Sequence, residues 1–150
     1  MINPFFTYGN AIWASNYPNR LACLTLFQKR ATRVITKSKH LAHTKQLFDD
    51  LSILKFDLLN EYLIGILFYK ICNNLMPAQF SGYCIKVCSV HDHHTRSAGG
   101  LFVSYARTNL RKFALRCKGP AVSNTIPDCI RNTSPLYKFK KRWREYLLVK

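Results

Sequence analysis

Residues 56–73 read FDLLNEYLIGILFYKICN, and this stretch decides the fold. Leu59, Tyr62, Leu63, Ile66, Leu67 and Ile71 recur three and four residues apart, which is the spacing of one helix face. Leu58, Ile64 and Phe68 widen that face until most of the circumference is apolar. A helix that is apolar nearly all round is a buried one, so Phe56–Asn73 is expected to be the central helix. Asn73-Asn74 and Pro77 stop it, and Pro77 can open a brief helical turn through Phe80.

On the N-terminal side, an aromatic, apolar lead-in (Tyr8-Gly9, Ile12, Trp13) precedes a second helical pattern. Pro18 suits a first helical turn, with Asn16 as a cap before it. Leu21, Leu24, Ala31, Val34 and Ile35 recur near helical spacing and are expected to face a core. Lys29, Arg30, Arg33 and Lys37 fall largely on the other side, and the helix should end near Lys37–His40. Thr44 can cap a short helix to about Leu51. On the C-terminal side, residues 81–100 carry little regular pattern. Leu101 to Tyr105 and Phe113 to Cys117 alternate, which allows a short β-pairing across Arg107–Lys112. Gly119-Pro120 should start a short helix that Pro127 limits. Ser134-Pro135 reads as cap plus first turn of a last helix. In it Leu136, Phe139, Trp143, Tyr146 and Leu147 form one apolar stripe, and Lys138, Lys140, Lys141, Arg142 and Arg144 cover the other faces. The expected fold is mainly α. A single domain over residues 1–150 holds about five helices, with an irregular middle that has room for one short β-hairpin. Within it, 1–80 are helical, 81–118 irregular or β, and 119–150 the C-terminal helices.

Lysine and arginine number 23 against 7 acids, a net charge of +16. Such self-repulsion disfavours a compact state unless an anionic partner is close. Nucleic acid is the first such partner, and an anionic membrane surface the second. A hydrophobic content of 48% excludes a disordered basic tail. No run approaches the roughly 20 apolar residues of a spanning helix. Asn3, Pro4 and Asn10 interrupt the N-terminal apolar run, and no basic segment precedes it, so it does not read as a signal peptide. A cytoplasmic or nuclear location is expected, where the six cysteines would be reduced thiols rather than disulfides.

Phe48-Asp49-Asp50 invites comparison with the aromatic-x-Asp-Asp turn that holds two metal ions in polymerases. Leu47 occupies the position two before the pair, the flanks read as helix, and no acid precedes Asp49. These aspartates read as a solvated acidic turn, not as metal ligands. Cys84, Cys88, His91, His93 and His94 have ligand types that suit zinc. Their crowding and the loose first gap weigh against a zinc site, and no cofactor is expected of this chain. No Ser/His/Asp set or phosphate loop is recognisable, so no catalytic residue is assigned. The basic helices are the better signal. Cations along a groove neutralise phosphates without sequence choice. The candidate nucleic-acid-binding residues are Lys29, Arg30, Arg33, Lys37, Lys138, Lys140, Lys141, Arg142 and Arg144. Tyr17, Tyr137 and Trp143 can stack on bases, although Trp143 lies on the apolar stripe and reads first as core.

Read in order, the motifs resemble one family. Tyr8-Gly9 and Trp13 precede Leu24-Thr25-Leu26-Phe27-Gln28-Lys29-Arg30-Ala31-Thr32-Arg33-Val34-Ile35. Next come His43-Thr44, Leu51-Ser52-Ile53-Leu54, then His91-Asp92-His93-His94-Thr95-Arg96. Gly119-Pro120 through Asn124-Thr125-Ile126-Pro127, and Phe139-Lys140-Lys141 before a Leu-rich end, complete the order. This series is similar to the segment just downstream of the polymerase core in reverse transcriptases of non-LTR (LINE-like) retrotransposons. His93 stands where the family has Tyr, and Ser123 where it has Trp, which points to a diverged or decayed copy. The resemblance implies the post-palm, thumb-side part of an RNA-directed DNA polymerase. Its residues would grip RNA or an RNA/DNA duplex, and Mg²⁺ would serve only the full-length enzyme. The catalytic aspartates are absent, so this chain alone should be inactive. It is expected to have no membrane partner and no small-molecule substrate. The alternatives are a small zinc-dependent RNA- or DNA-binding module and a non-catalytic helical interaction domain.

Overall fold

Phe56–Cys72 forms the helix against which most other elements pack. It is α5 in a computed structural model that describes residues 3–90 and 99–150. Before it come α1 (Asn3–Thr7), α2 (Asn10–Trp13), α3 (Pro18–Ile35) and α4 (Thr44–Asp50). After it come α6 (Asn109–Phe113), α7 (Leu115–Thr125), α8 (Asp128–Arg131) and α9 (Leu136–Val149). Two short 3-10 turns, Ala78–Tyr83 and Val87–Ser89, occupy the stretch after α5. The fold is mainly α, as expected, and no β-strand is found among the described residues.

Two glycines set how closely the helices approach α5. At Gly65 an added Cβ would lie 2.6 Å from Trp143 Nε1, so only a hydrogen there lets the fully buried indole of α9 lie on α5. At Gly119 a Cβ would run into the Phe68 ring, so α7 reaches α5 by the same device. Around these contacts Leu54, Phe56, Leu59, Ile126, Phe139, Trp143 and Leu147 form the main core. Phe68, Ile71 and Leu101 form a second cluster at the other end of α5, lined by Met76 and Phe80. Burying these large side chains is the main favourable term for a chain whose charge opposes collapse.

Polar side chains fasten the outer helices. Asn60 of α5 donates to Asn10 Oδ1 at 2.9 Å, and Lys118 of α7 donates to Asn60 Oδ1 at 2.6 Å. Gln28 of α3 donates to the Leu54 carbonyl at 2.9 Å and accepts the Phe56 N–H at 2.8 Å. The latter is one of the N–H groups at the start of α5 that have no partner within the helix. Gly9, at φ +60°, turns α1 into α2, so that Phe6 meets Phe56 edge-on at 5.8 Å and Trp13 stacks on it at 5.7 Å. Such pairs add modestly to the area they bury.

Several expectations are corrected. The proposed β-pairing of Leu101–Tyr105 with Phe113–Cys117 does not form. Asn109–Phe113 is helical because Thr108 Oγ1 accepts the Arg111 N–H, and Leu115 onward is helical too. Leu101 bonds elsewhere. Its N–H and C=O are both taken by the Asn124 amide (2.8 and 2.9 Å), and its one ladder contact is an isolated antiparallel bridge to Lys86. Helix α7 starts at Leu115 rather than at Gly119-Pro120, because the Cys117 and Lys118 N–H groups already turn back to the Ala114 carbonyl. Neither Asn16 nor Ser134 supplies a side-chain cap; the cap positions are Tyr17 and Pro135. Cys72 and Cys84 are joined by a disulfide rather than held as thiols, their Cα atoms 5.5 Å apart, while Cys23, Cys88, Cys117 and Cys129 are free. The inner row of α3 also differs. Leu21 and Leu24 pack on the core, but Val34 and Ile35 are 77% and 60% exposed, and Gln28 and Thr32 are buried in their place.

Candidate nucleic-acid interface

The nine candidate cations sit on α3, on the turn after it, and on α9, and the two helices meet at one connection. Arg144 donates to the Ser52 carbonyl at 3.0 Å, and Gln28 donates to the Leu54 carbonyl at 2.9 Å. These two carbonyls are at most about 7 Å apart along the chain, so both basic helices rest on the short segment between α4 and α5. On α3, Arg30 is exposed and Lys29 half-buried, while Lys37, in the left-handed region at φ 51°, is exposed just past the helix end. On α9, Lys138 and Lys141 are exposed and Lys140 is half-buried.

Three of the four arginines among the nine are less free than the lysines. Arg33 Nε donates to the Ala42 carbonyl at 3.1 Å and holds the turn after α3. Arg142 donates to Thr133 Oγ1 at 3.0 Å, and Arg144 is committed to Ser52. A guanidinium has five N–H groups, so each can still face an anion, but its position is dictated by the fold. The side chains of Lys29, Arg30, Lys37, Lys138, Lys140 and Lys141 have no hydrogen bond or ion pair to a described residue. That six-cation set, with no acid before Asp49, is the part of the candidate surface open to phosphate.

Two further cations are spoken for. Burial pushes the Lys118 ammonium below the usual lysine range, with the Glu61 and Asp57 carboxylates opposing the shift. Lys150 pairs with Glu61 at 3.2 Å. Beside Arg144, burial raises the Tyr62 phenol above its ordinary value, and the guanidinium partly offsets this.

The aromatic candidates separate cleanly. Trp143 is wholly buried against Gly65, as its place on the apolar stripe implied, and cannot stack on a base. Tyr137 and Tyr17 are exposed, Tyr17 with its ring edge-on to Phe113 at 5.0 Å. Asp49 and Asp50 are exposed at the end of α4, in helical backbone rather than in a strand turn. Among the proposed zinc ligands, Cys84 is bonded to Cys72 and Cys88 is exposed, while His91, His93 and His94 lie outside the described residues. Among the described residues no three of His, Cys, Asp or Glu converge.

A cleft of about 640 Å³ opens beside the C-terminal end of α5, lined by Tyr69, Cys72, Lys86, Arg131 and Phe139 among others. Arg131 pairs there with Asp128 at 3.3 Å and donates to the Ile126 carbonyl, so its charge is largely answered. Two surfaces escaped the sequence reading. One is apolar: Phe5, Tyr8, Ile12, Leu26, Phe27 and Val34 are exposed on α1 to α3, and the helical spacing that suggested a buried α3 face concealed it. The other is the cationic stretch from Arg107 to Arg116, hidden by its assignment to a hairpin. No helix among the described residues is long and apolar enough to cross a membrane.

Four of the residues behind the family resemblance are packing residues. Gln28 fastens α3 to α5, Arg33 holds the turn after α3, Gly119 lets α7 reach Phe68, and Asn124 anchors Leu101. Comparison with protein-family models, with curated proteins and with solved structures found no match.

Proposed function

We propose that this chain is a catalytically incomplete, post-palm segment of a retrotransposon reverse transcriptase that binds RNA or an RNA/DNA duplex without sequence choice. The observation that carries this reading is the placement of the α3 and α9 cations. Six of them have side chains free of described partners, five on two helices that both rest on the 52–56 connection and Lys37 on the turn after α3, in a chain of net charge +16. A folded basic surface of this kind gains affinity mainly by releasing counterions from phosphates, which gives strength without base readout. The ordered motifs supply the family. The absence of an aromatic-x-Asp-Asp element in the right spacing supplies the incompleteness.

Replacing Lys29, Arg30, Lys138 and Lys141 together by Ala tests the reading. Binding to an RNA/DNA duplex should weaken and its salt dependence flatten, with the helical circular dichroism unchanged. Unaltered binding would remove these residues from the interface. The purified chain is expected not to extend a primer in Mg²⁺ and deoxynucleotides, and extension would overturn the claim of incompleteness.

A second reading, a non-catalytic helical interaction domain, is favoured by the exposed apolar side chains of α1 to α3, with Tyr8 at 87% and Val34 at 77% exposure. It predicts weak RNA binding even at low salt.

A further inference from the structure

The stretch Arg107 to Arg116 holds four cations in ten residues: Arg107, Arg111, Lys112 and Arg116. All four are exposed, and none has a side-chain hydrogen bond or ion pair to a described residue. The stretch is nonetheless held firmly. Leu101 is clamped by Asn124 on α7, Ala106 is buried, and Thr108 caps α6 by accepting the Arg111 N–H at 3.4 Å. Phe113, at the end of α6, meets Tyr17 edge-on at 5.0 Å. That contact brings the start of α3 beside α6, and with it Arg20, one turn into α3, exposed and with a side chain likewise without a described partner. Tyr17 at 44% and Tyr105 at 84% exposure border the same group.

Four of these five cations are arginines, and their guanidinium groups are uncommitted among the described residues. That contrasts with Arg33, Arg142 and Arg144, which each donate to an oxygen of the protein itself. A planar guanidinium offers paired donors that match phosphate geometry, whereas an ammonium acts as a point charge. Exposed tyrosines beside such a group offer faces on which unpaired bases stack. The sequence carries no acid from 93 to 127 to compete for these cations.

From this juxtaposition we infer that Arg20, Arg107, Arg111, Lys112 and Arg116, with Tyr17 and Tyr105, form a second nucleic-acid site that takes a single strand. Guanidinium groups hold its phosphodiester backbone, and the tyrosines stack its bases. The site is separate from the α3 and α9 cations assigned above, and it rests on the nucleic-acid reading of the chain. It gives the molecule two modes of contact, a lysine-led surface for a duplex and an arginine–tyrosine surface for an unpaired strand.

The test uses the full chain, a fluorescein-labelled uridine strand of about 16 nucleotides, and an RNA/DNA duplex, each titrated against salt. Replacing Arg107, Arg111, Lys112 and Arg116 by Ala should make the single-strand log K–log salt slope shallower by about 3, at about 0.7 per phosphate contact, and leave duplex binding near wild type. Tyr105→Ala should weaken strand binding on the order of tenfold with the slope unchanged. In the wild-type chain, ultraviolet cross-linking to a bromouridine strand should map to Tyr17 or Tyr105, a readout that needs no variant to fold. Wild-type strand affinity and slope in the quadruple variant, together with loss of binding in the α3–α9 variant, would overturn the site while sparing the parent reading. Equal losses on strand and duplex would overturn the single-strand assignment. Failure of the wild-type chain to bind either ligand would end both proposals.

Discussion

Gly119 shows how a single hydrogen atom can set the distance between two helices. Phe68 is fully buried and cannot swing aside, so Gly119→Ala forces the ring against α7 or the helices apart. The helix-propensity gain of about 1 kcal/mol is outweighed by overpacking of about 1–3 kcal/mol or more. Urea denaturation should therefore show a net loss of about 2 kcal/mol for Gly119→Ala. Gly82→Ala, where a Cβ meets no atom within 4 Å, should change stability by less than about 0.5 kcal/mol. A neutral Gly119→Ala would mean that α5 and α7 do not pack this closely. Gln28 makes a complementary case, because its amide is shared between the Leu54 carbonyl and the Phe56 N–H. Gln28→Ala strands both, at a cost of about 1–3 kcal/mol, which the same denaturation measures. Lys118 supplies a pH signature. Its folded pKa lies below the unfolded value, so the folded state bears a burial cost while the ammonium is charged. That cost is relieved as pH rises through the folded pKa toward 10.5. Measured against Lys118→Met, the wild-type unfolding free energy should rise over that alkaline window. A constant difference would show that Lys118 is hydrated in the fold.

Among the elements, α5 and α9 were the most legible in the sequence, for a plain reason. Their apolar residues outnumber the polar ones on the buried face, so periodicity alone finds it. Helix α3 was half legible. Its inner row, Leu21, Leu24, Gln28 and Thr32, turns polar because Gln28 answers a backbone break in a different part of the chain, and no local pattern reports that. Val34 and Ile35 lie beyond the edge of the core, where helical spacing no longer implies burial. The 101–117 stretch was misread because its alternation is too short to separate a strand from the starts of two helices. Asn124, more than twenty residues away, decides the outcome by taking both backbone groups of Leu101. The basic helices of the candidate interface were visible as charge, but which arginines are already bound to the protein was not. The disulfide joins α5 to the turn that follows it, across a sequence separation of 12. Closing a loop of that size stabilises by up to about 3 kcal/mol, so reduction with dithiothreitol should lower the melting temperature, and Cys72→Ser should remove that response. An unchanged melting temperature on reduction would show that the cross-link contributes nothing.

At the scale of the whole molecule, one quantity dominates: sixteen unbalanced positive charges on 150 residues. The core that forms around α5 is apolar and glycine-spaced, and it leaves most of the cations outside. Self-repulsion then opposes the fold until anions arrive, and a polyanion supplies many at once. The shape of the molecule fits this account, because α3 and α9 converge on the 52–56 connection and present lysines without described partners from folded elements rather than from a tail. Added RNA should therefore raise the melting temperature at low salt and lose that effect as salt rises, since a ligand that binds only the folded state stabilises it. The most direct test of the central claim is the affinity of the chain for an RNA/DNA duplex measured as a function of salt. If about six phosphates are neutralised, log K should fall with log salt at a slope of about −5, the value expected for B-form DNA. A flat response with weak binding at low salt would contradict the account and leave the apolar face of α1 to α3 as the feature to explain.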